Sequence, residues 1–266
     1  MPETSNTVVI ESSDQLLQPT TRRRFLGALG MGGAILFLPA VFAGCDDNGN
    51  GITDPGPDPR LDANLYRLNL SNDTGILNYA YALEQLEAAY YTAALGSAGF
   101  AALSAAEKEV LQDLQKHEVI HEEFFKQVLG AAAIPKIFFN SATVGTLTAN
   151  RDVLLRTSQL LEDTGVSAYN GAGKYLIPPA NLLVAGKIVS VEARHAAAIR
   201  DIRDGTNGRL FAGDDVVNAQ GLDVKAEPSI VITAVAGLNV LISPVSIGTQ
   251  PDASKVTPNM PAPTPT

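Results

Sequence analysis

Glu118-Val119-Ile120-His121 and Glu192-Ala193-Arg194-His195 each set a carboxylate and an imidazole three residues apart. On a helix that spacing puts both groups on one face, a turn apart. Stepping outward by alternating threes and fours, the flanking positions are apolar. They are Leu111, Leu114, Phe125 and Val128 around the first stretch, and Ala185, Ile188, Ile199 and Ile202 around the second. Each stretch therefore lies on the seam of an amphipathic helix, with its charged pair where a core residue belongs.

Two further segments repeat the pattern. One seam reads Leu77, Ala80, Glu84, Glu87, Tyr91, Ala94; the other reads Leu155, Ser158, Glu162, Gly165, Tyr169, Ala172. Start and stop signals bound all four helices. Asn72 or Asp73 caps a helix over 73–96, and Ser104 with Glu107 forms a capping box for 104–129, which stops at Gly130. A third helix over 150–176 ends at Pro178-Pro179, and a fourth over 179–204 ends at Gly205. Short links make each consecutive pair an antiparallel hairpin, while 131–149 is long enough to cross the bundle. The expected fold is all-α: an antiparallel four-helix bundle over 66–205 with one long crossover connection. An irregular, partly disordered C-terminal extension follows over 206–266, in which 230–242 is apolar enough for a short strand or helix.

The four charged layers would meet at mid-bundle. An unpaired buried carboxylate costs several kcal/mol, so four or five in one core layer require a positive partner. No Lys or Arg stands on these seams, which points to metal. Glu-x-x-His on two helices plus one Glu from each of the other two is the ligand pattern of two-iron and two-manganese bundles. The six candidate ligands are Glu84, Glu118, His121, Glu162, Glu192 and His195. Four carboxylates and two divalent ions sum to zero charge, which suits a buried site.

An internal repeat supports this set. Glu84 precedes Tyr91 by seven residues and Glu118 by 34; Glu162 precedes Tyr169 by seven and Glu192 by 30. The repeat aligns Glu84 with Glu162 and Glu87 with Gly165, so Glu84 is preferred as the bridging or chelating ligand of its helix. Glu87 is then a candidate extra ligand, proton carrier or neighbour of the ligands. Tyr91 and Tyr169 are expected either to donate to ligand carboxylates or simply to pack in the core. His117, one step off the seam, is read as a neighbour of the site or a surface residue. Glu122, Glu123 and Asp163 are read as a solvated face.

The N-terminal region reads as an address. Arg22-Arg23-Arg24 precedes a Gly/Ala-rich apolar run, and residues 1–44 resemble a twin-arginine signal peptide carried by Arg22 and Arg23; a transmembrane anchor is the alternative. The only Cys, Cys45, follows Ala43-Gly44 and resembles a lipobox cysteine. Cleavage after Ala43 with an incidental Cys, or an unmodified thiol, are the other readings. Residues 45–65, rich in Asp, Gly and Pro, form a flexible linker. The expected location is therefore outside the cytoplasm, periplasmic or at the cell surface, with a membrane partner through the lipid.

Composition narrows the classes further. The 266 residues carry 28 acids against 19 bases, net −9, which argues against a nucleic-acid partner. Residues 1–44 hold three of each sign, so the mature chain keeps −9. A single Cys excludes an internal disulfide and a Cys-based zinc or iron–sulfur site.

The stretches Leu83–Tyr91, Glu118–His121, Leu161–Tyr169 and Ser190–His195 resemble the ferritin-like superfamily. More narrowly, they resemble its exported members related to desiccation-related proteins. The resemblance implies a four-helix bundle and a carboxylate-bridged two-metal centre, iron or manganese, on the six residues named. It leaves the activity open among oxidase, peroxidase, catalase and iron-handling chemistry. A redox protein is the leading reading. A metal-binding or stress-protective protein without turnover is the second, and a purely structural bundle with protonated carboxylates is the third. A lipid-tethered chain with a long tail is poorly suited to a closed storage shell. Twin-arginine export of folded proteins would allow metal loading in the cytoplasm.

Overall fold

Three of the four long helices begin at a polar side chain that accepts from an orphan N–H of the first turn. The computed structural model describes residues 8–10, 35–37, 66–205, 207–242 and 245–251. Arg22, Arg23, Cys45 and the linker up to residue 65 lie outside the described residues. Strands β1 (Val8–Ile10) and β2 (Ile35–Phe37) pair in parallel, Val8 opposite Ile35. They belong, with Pro178–Asn181, to a unit distinct from the one formed by 55–177 and 182–266.

In the larger unit, β3 (Tyr66–Asn69) leads into α1 (Asp73–Ala94). The short α2 (Ala98–Ala101) and the long α3 (Ala105–Leu129) follow. Next come α4 (Ser141–Leu147), α5 (Arg151–Ala172), α6 (Pro179–Arg203), α7 (Pro228–Gly237) and β4 (Val245–Thr249). Asn72 Oδ1 accepts from Gly75 N at 2.9 Å and Asn150 Oδ1 from Val153 N at 3.0 Å. The Ser104–Glu107 capping box forms in both directions. Helix α6 begins at Pro179, where a missing N–H costs nothing. Gly130 closes α3 with a φ of 53°.

The seams fill the core. Leu111, Leu155 and Ile199 are buried, each contributing roughly 1.5–3 kcal/mol. Helix α1 departs from the expected one-sided seam. Tyr79, Leu83, Leu86 and Tyr90 are buried as well, while Leu77 is only partly so. It is the central helix, and a helix covered on every side shows little amphipathicity. The crossover covers one of those sides, held by buried amides of α1. Asn78 Nδ2 donates to Ala132 O at 2.8 Å and its Oδ1 accepts from Ile134 N at 2.7 Å. Gln85 Oε1 accepts from Ile137 N at 2.7 Å. The crossover also contains α4, which the sequence reading had as plain connection.

Within its described part the C-terminal extension carries a short helix where its apolar stretch led one to expect a strand or helix. Residues 228–237 form a helix, α7, which buries Val231 and Val235. Strand β4 pairs in parallel with β3, Tyr66 opposite Val245, so the two flanks of the bundle close on each other. Ala226 N donates to Ser167 O at 2.9 Å, and at Gly171 a Cβ would stand 1.8 Å from Ala226 O. Only glycine lets the extension lie this close to α5. Among the described residues no helix is long and apolar enough to cross a membrane.

Candidate metal centre

Four helices each bring one carboxylate to the same depth: Glu84 from α1, Glu118 from α3, Glu162 from α5 and Glu192 from α6. All four are wholly buried. The i, i+3 spacing adds His121 beside Glu118 and His195 beside Glu192, both also buried. His121 Nδ1 lies 2.9 Å from Glu192 Oε1, 3.3 Å from Glu84 Oε2 and 3.5 Å from Glu118 Oε2. His195 Nδ1 lies 2.8 Å from Glu118 Oε1, 3.3 Å from Glu162 Oε2 and 3.8 Å from Glu192 Oε2.

These atoms form two ligand groups. Glu84, Glu118, His121 and Glu192 make one, and Glu118, Glu162, Glu192 and His195 make the other; within each, the ligand atoms lie within 4.8 Å of one another. Glu118 and Glu192 belong to both. Glu84, expected to bridge or to chelate, belongs to one group and Glu162 to the other, and the carboxylates common to both come from the two Glu-x-x-His stretches. The internal repeat becomes an approximate two-fold relation between the hairpins.

Whether this cluster suits a cation can be judged from its unmet polar atoms. Both oxygens of Glu118, Glu162 and Glu192, Oε2 of Glu84 and Nδ1 of both histidines are buried without a hydrogen-bond partner. The short His–Glu approaches satisfy no hydrogen-bond geometry, and the atoms crowd together with nothing between them to answer their charge. Buried polar groups are nearly always satisfied, so a whole cluster left unmet marks a place for something positive. The ionisation of the cluster is frustrated in the same way. Burial pushes Glu84 and Glu162 up to about 8. Burial opposes ionisation of Glu118, yet contact with His121 and His195 holds it down near about 2. Surrounding carboxylates outweigh burial at His195 and lift it to about 12, and His121 moves the same way. The residues present fit a pair of cations.

Glu87 is a fifth buried carboxylate, outside both ligand groups. Burial first, then Glu192, Glu118, Glu162 and Glu84, hold it well above the usual carboxylate range. Gly165 makes its room, since a Cβ there would stand 3.1 Å from Glu87 Oε1. The Glu87–Gly165 mismatch in the repeat is thus a steric exchange across the site. The Tyr169 hydroxyl donates to Glu84 Oε1. Tyr91, its counterpart, is fully buried beside Glu162, without a well-formed hydrogen bond of its own.

His117 stands as a neighbour of the site, one of its two expected readings: its Nδ1 lies 2.9 Å from His195 Nε2. It stands four residues before His121, the spacing of zinc peptidases, but belongs to neither ligand group. Glu122 is buried and paired with Lys136 of the crossover, which recruits it from the expected solvated face. Asp163 accepts from Arg200 at 2.7–2.8 Å, and Asp215 accepts from the same guanidinium. Arg200 is nearly wholly buried, and this pairing ties the extension to α5 and α6. Glu123 stays exposed, with Lys126 beside it. The sequence offered no signal for the His117 and Arg200 contacts, because both partners come from other helices.

No curated protein matches the chain. A family model described as a ferritin-like domain matches residues 72–204, which run from the cap of α1 to just past the end of α6 and make up half of the chain. With the helical bundle and the buried Glu/His cluster it encloses, the match shows that the chain belongs to the ferritin-like family.

Proposed function

We propose that the cluster holds two metal ions, iron or manganese, and that the protein uses them in redox handling of O₂, peroxide or iron at the cell envelope. The observation that carries this reading is the sharing of Glu118 and Glu192 between two complete ligand groups. In this reading Glu84 with His121 would hold one metal and Glu162 with His195 the other, and Glu118 and Glu192 would be within reach of both. Bound there, iron or manganese supplies one-electron chemistry that carboxylate side chains lack.

The chain's own residues surround that chemistry in definite ways. Tyr169 fixes the orientation of Glu84 through its hydroxyl. Glu87, whose pKa is raised by burial and by its neighbouring carboxylates, is placed to carry a proton beside the ligands without occupying either group. The carboxylates themselves are shut off from solvent, and the seam residues Leu111, Leu114, Leu155 and Ile188 on the same helices are buried with them. The envelope location rests on the Arg22-Arg23 pair and Cys45.

The test is the metal content of the chain purified without chelator, beside a Glu118→Ala/Glu192→Ala double variant of equal helicity. About two ions per native chain and close to none in the variant is the expected outcome; iron or manganese then separates the chemistries. Metal at the same level in both would place it elsewhere and end this reading. Two bound ions with no reaction toward O₂ or peroxide would leave a metal-binding, stress-protective role. Fractionation checks the location: the chain is expected with membranes and is released by Cys45→Ser.

A further inference from the structure

The two halves of the cluster are related by the repeat, but they are not equivalent. On the α6 side, the outer nitrogen of His195 meets His117. The Nε2–Nδ1 separation is 2.9 Å, and the rings are nearly parallel, 7° apart with centroids 5.1 Å apart. On the α3 side, no described side chain is hydrogen-bonded to the outer nitrogen of His121. His117 is one residue before Glu118, so α3 supplies a supporting group to the opposite hairpin. The repeat has no return partner: the position before Glu192 is Val191.

We propose that His117 is a positioning residue that makes the Glu162/His195 half the tighter of the two metal positions, so that the pair fills in order. The proposal rests on the two-metal reading above. The chemistry is that of tautomers. His195 faces the carboxylates with Nδ1, and a metal there needs the Nδ1 lone pair. The proton must then sit on Nε2, and His117 Nδ1 is the acceptor that holds it there. A partner on the outer nitrogen of a ligating histidine fixes ring orientation and raises its basicity; removing such a partner typically costs about 10–100-fold in metal affinity. His121 has no comparable partner among the described residues, and its side chain is 11% exposed against 4% for His195. Free rotation and solvent competition both weaken that half.

The test titrates the full, metal-stripped chain with Mn²⁺ alone, read by calorimetry and by the electron paramagnetic resonance of isolated versus coupled ions. The wild-type chain is expected to bind in two steps at least tenfold apart, the signal of an isolated ion growing first and giving way to that of a coupled pair. His117→Leu, at an exposed position that tolerates it, is expected to weaken the tight step by about 10–100-fold and merge the two. His117→Asn, whose Oδ1 stands where Nδ1 accepted, is expected to restore two steps. Glu84→Ala is expected to remove the weak step and spare the tight one. Unchanged steps in His117→Leu, equal weakening of both, or no rescue by Asn would each overturn the proposal. A wild-type chain that binds no Mn²⁺ and holds no iron overturns the two-metal reading itself, and this proposal with it; two equal steps in the wild type overturn the ordering alone.

Discussion

At the residue scale, the cluster sets a definite pH response for the metal-free chain. An acid whose folded pKa is raised keeps its proton in the folded state where the unfolded chain has released it. Stability then falls as pH climbs through that window. Glu84 and Glu162 move from 4.5 to about 8, so each withdraws stability between those values. His195, raised from 6.5 to about 12, contributes stability that is complete below 6.5 and lost as pH rises toward 12. Glu118, lowered to about 2, contributes stability already complete above 4.5 and does not oppose the trend. The metal-free chain is therefore expected to melt several degrees lower at pH 8 than at pH 5, and calorimetry measures it. Two bound divalent ions replace the missing protons, so the loaded chain should lack that loss. A metal-free chain that gains stability from pH 5 to 8 would contradict the burial of these carboxylates.

At the element scale, the helices were the most legible feature of the sequence, and particular residues explain why. Asn72 and Ser104 with Glu107 are local start signals that act on their own first turns, and Gly130 and Pro178-Pro179 are local stops. The Glu-x-x-His stretches were legible because a buried charge cannot be explained by packing. What lay beyond the sequence is what depends on distant partners. The all-round burial of α1 comes from the crossover, whose hold on Asn78 and Gln85 is invisible locally. The partner of His117 is on another hairpin, as is that of Asp163. The order of 207–242 depends on a close approach at Gly171 that no periodicity announces. That contact yields the prediction at this scale. Gly171→Ala puts a methyl into the Ala226 carbonyl, and the extension must lift from α5. Protease is then expected to cut within 207–242 much sooner than in the native chain while α1, α3, α5 and α6 stay helical by circular dichroism. Equal cutting rates would show that the extension is held elsewhere, at Arg200 for example.

At the scale of the whole molecule, the fold brings two helical hairpins together so that each completes the other's site. The α1–α3 hairpin supplies Glu84, Glu118 and His121; the α5–α6 hairpin supplies Glu162, Glu192 and His195. Neither hairpin holds a full ligand group, since Glu192 is needed for the first and Glu118 for the second. Metal bound at the cluster would therefore stabilise the association of the hairpins. The flanks reinforce this: β3, before the bundle in the chain, pairs with β4, after it, and Arg200 ties the extension down. The most direct measurement is anomalous diffraction from crystals grown with Mn²⁺ or Fe²⁺. The account predicts two peaks in the bundle core, roughly 3.5–4 Å apart, both within bonding distance of Glu118 and Glu192. A single peak, peaks confined to surface carboxylates, or none at all with the four buried glutamates unchanged would contradict it.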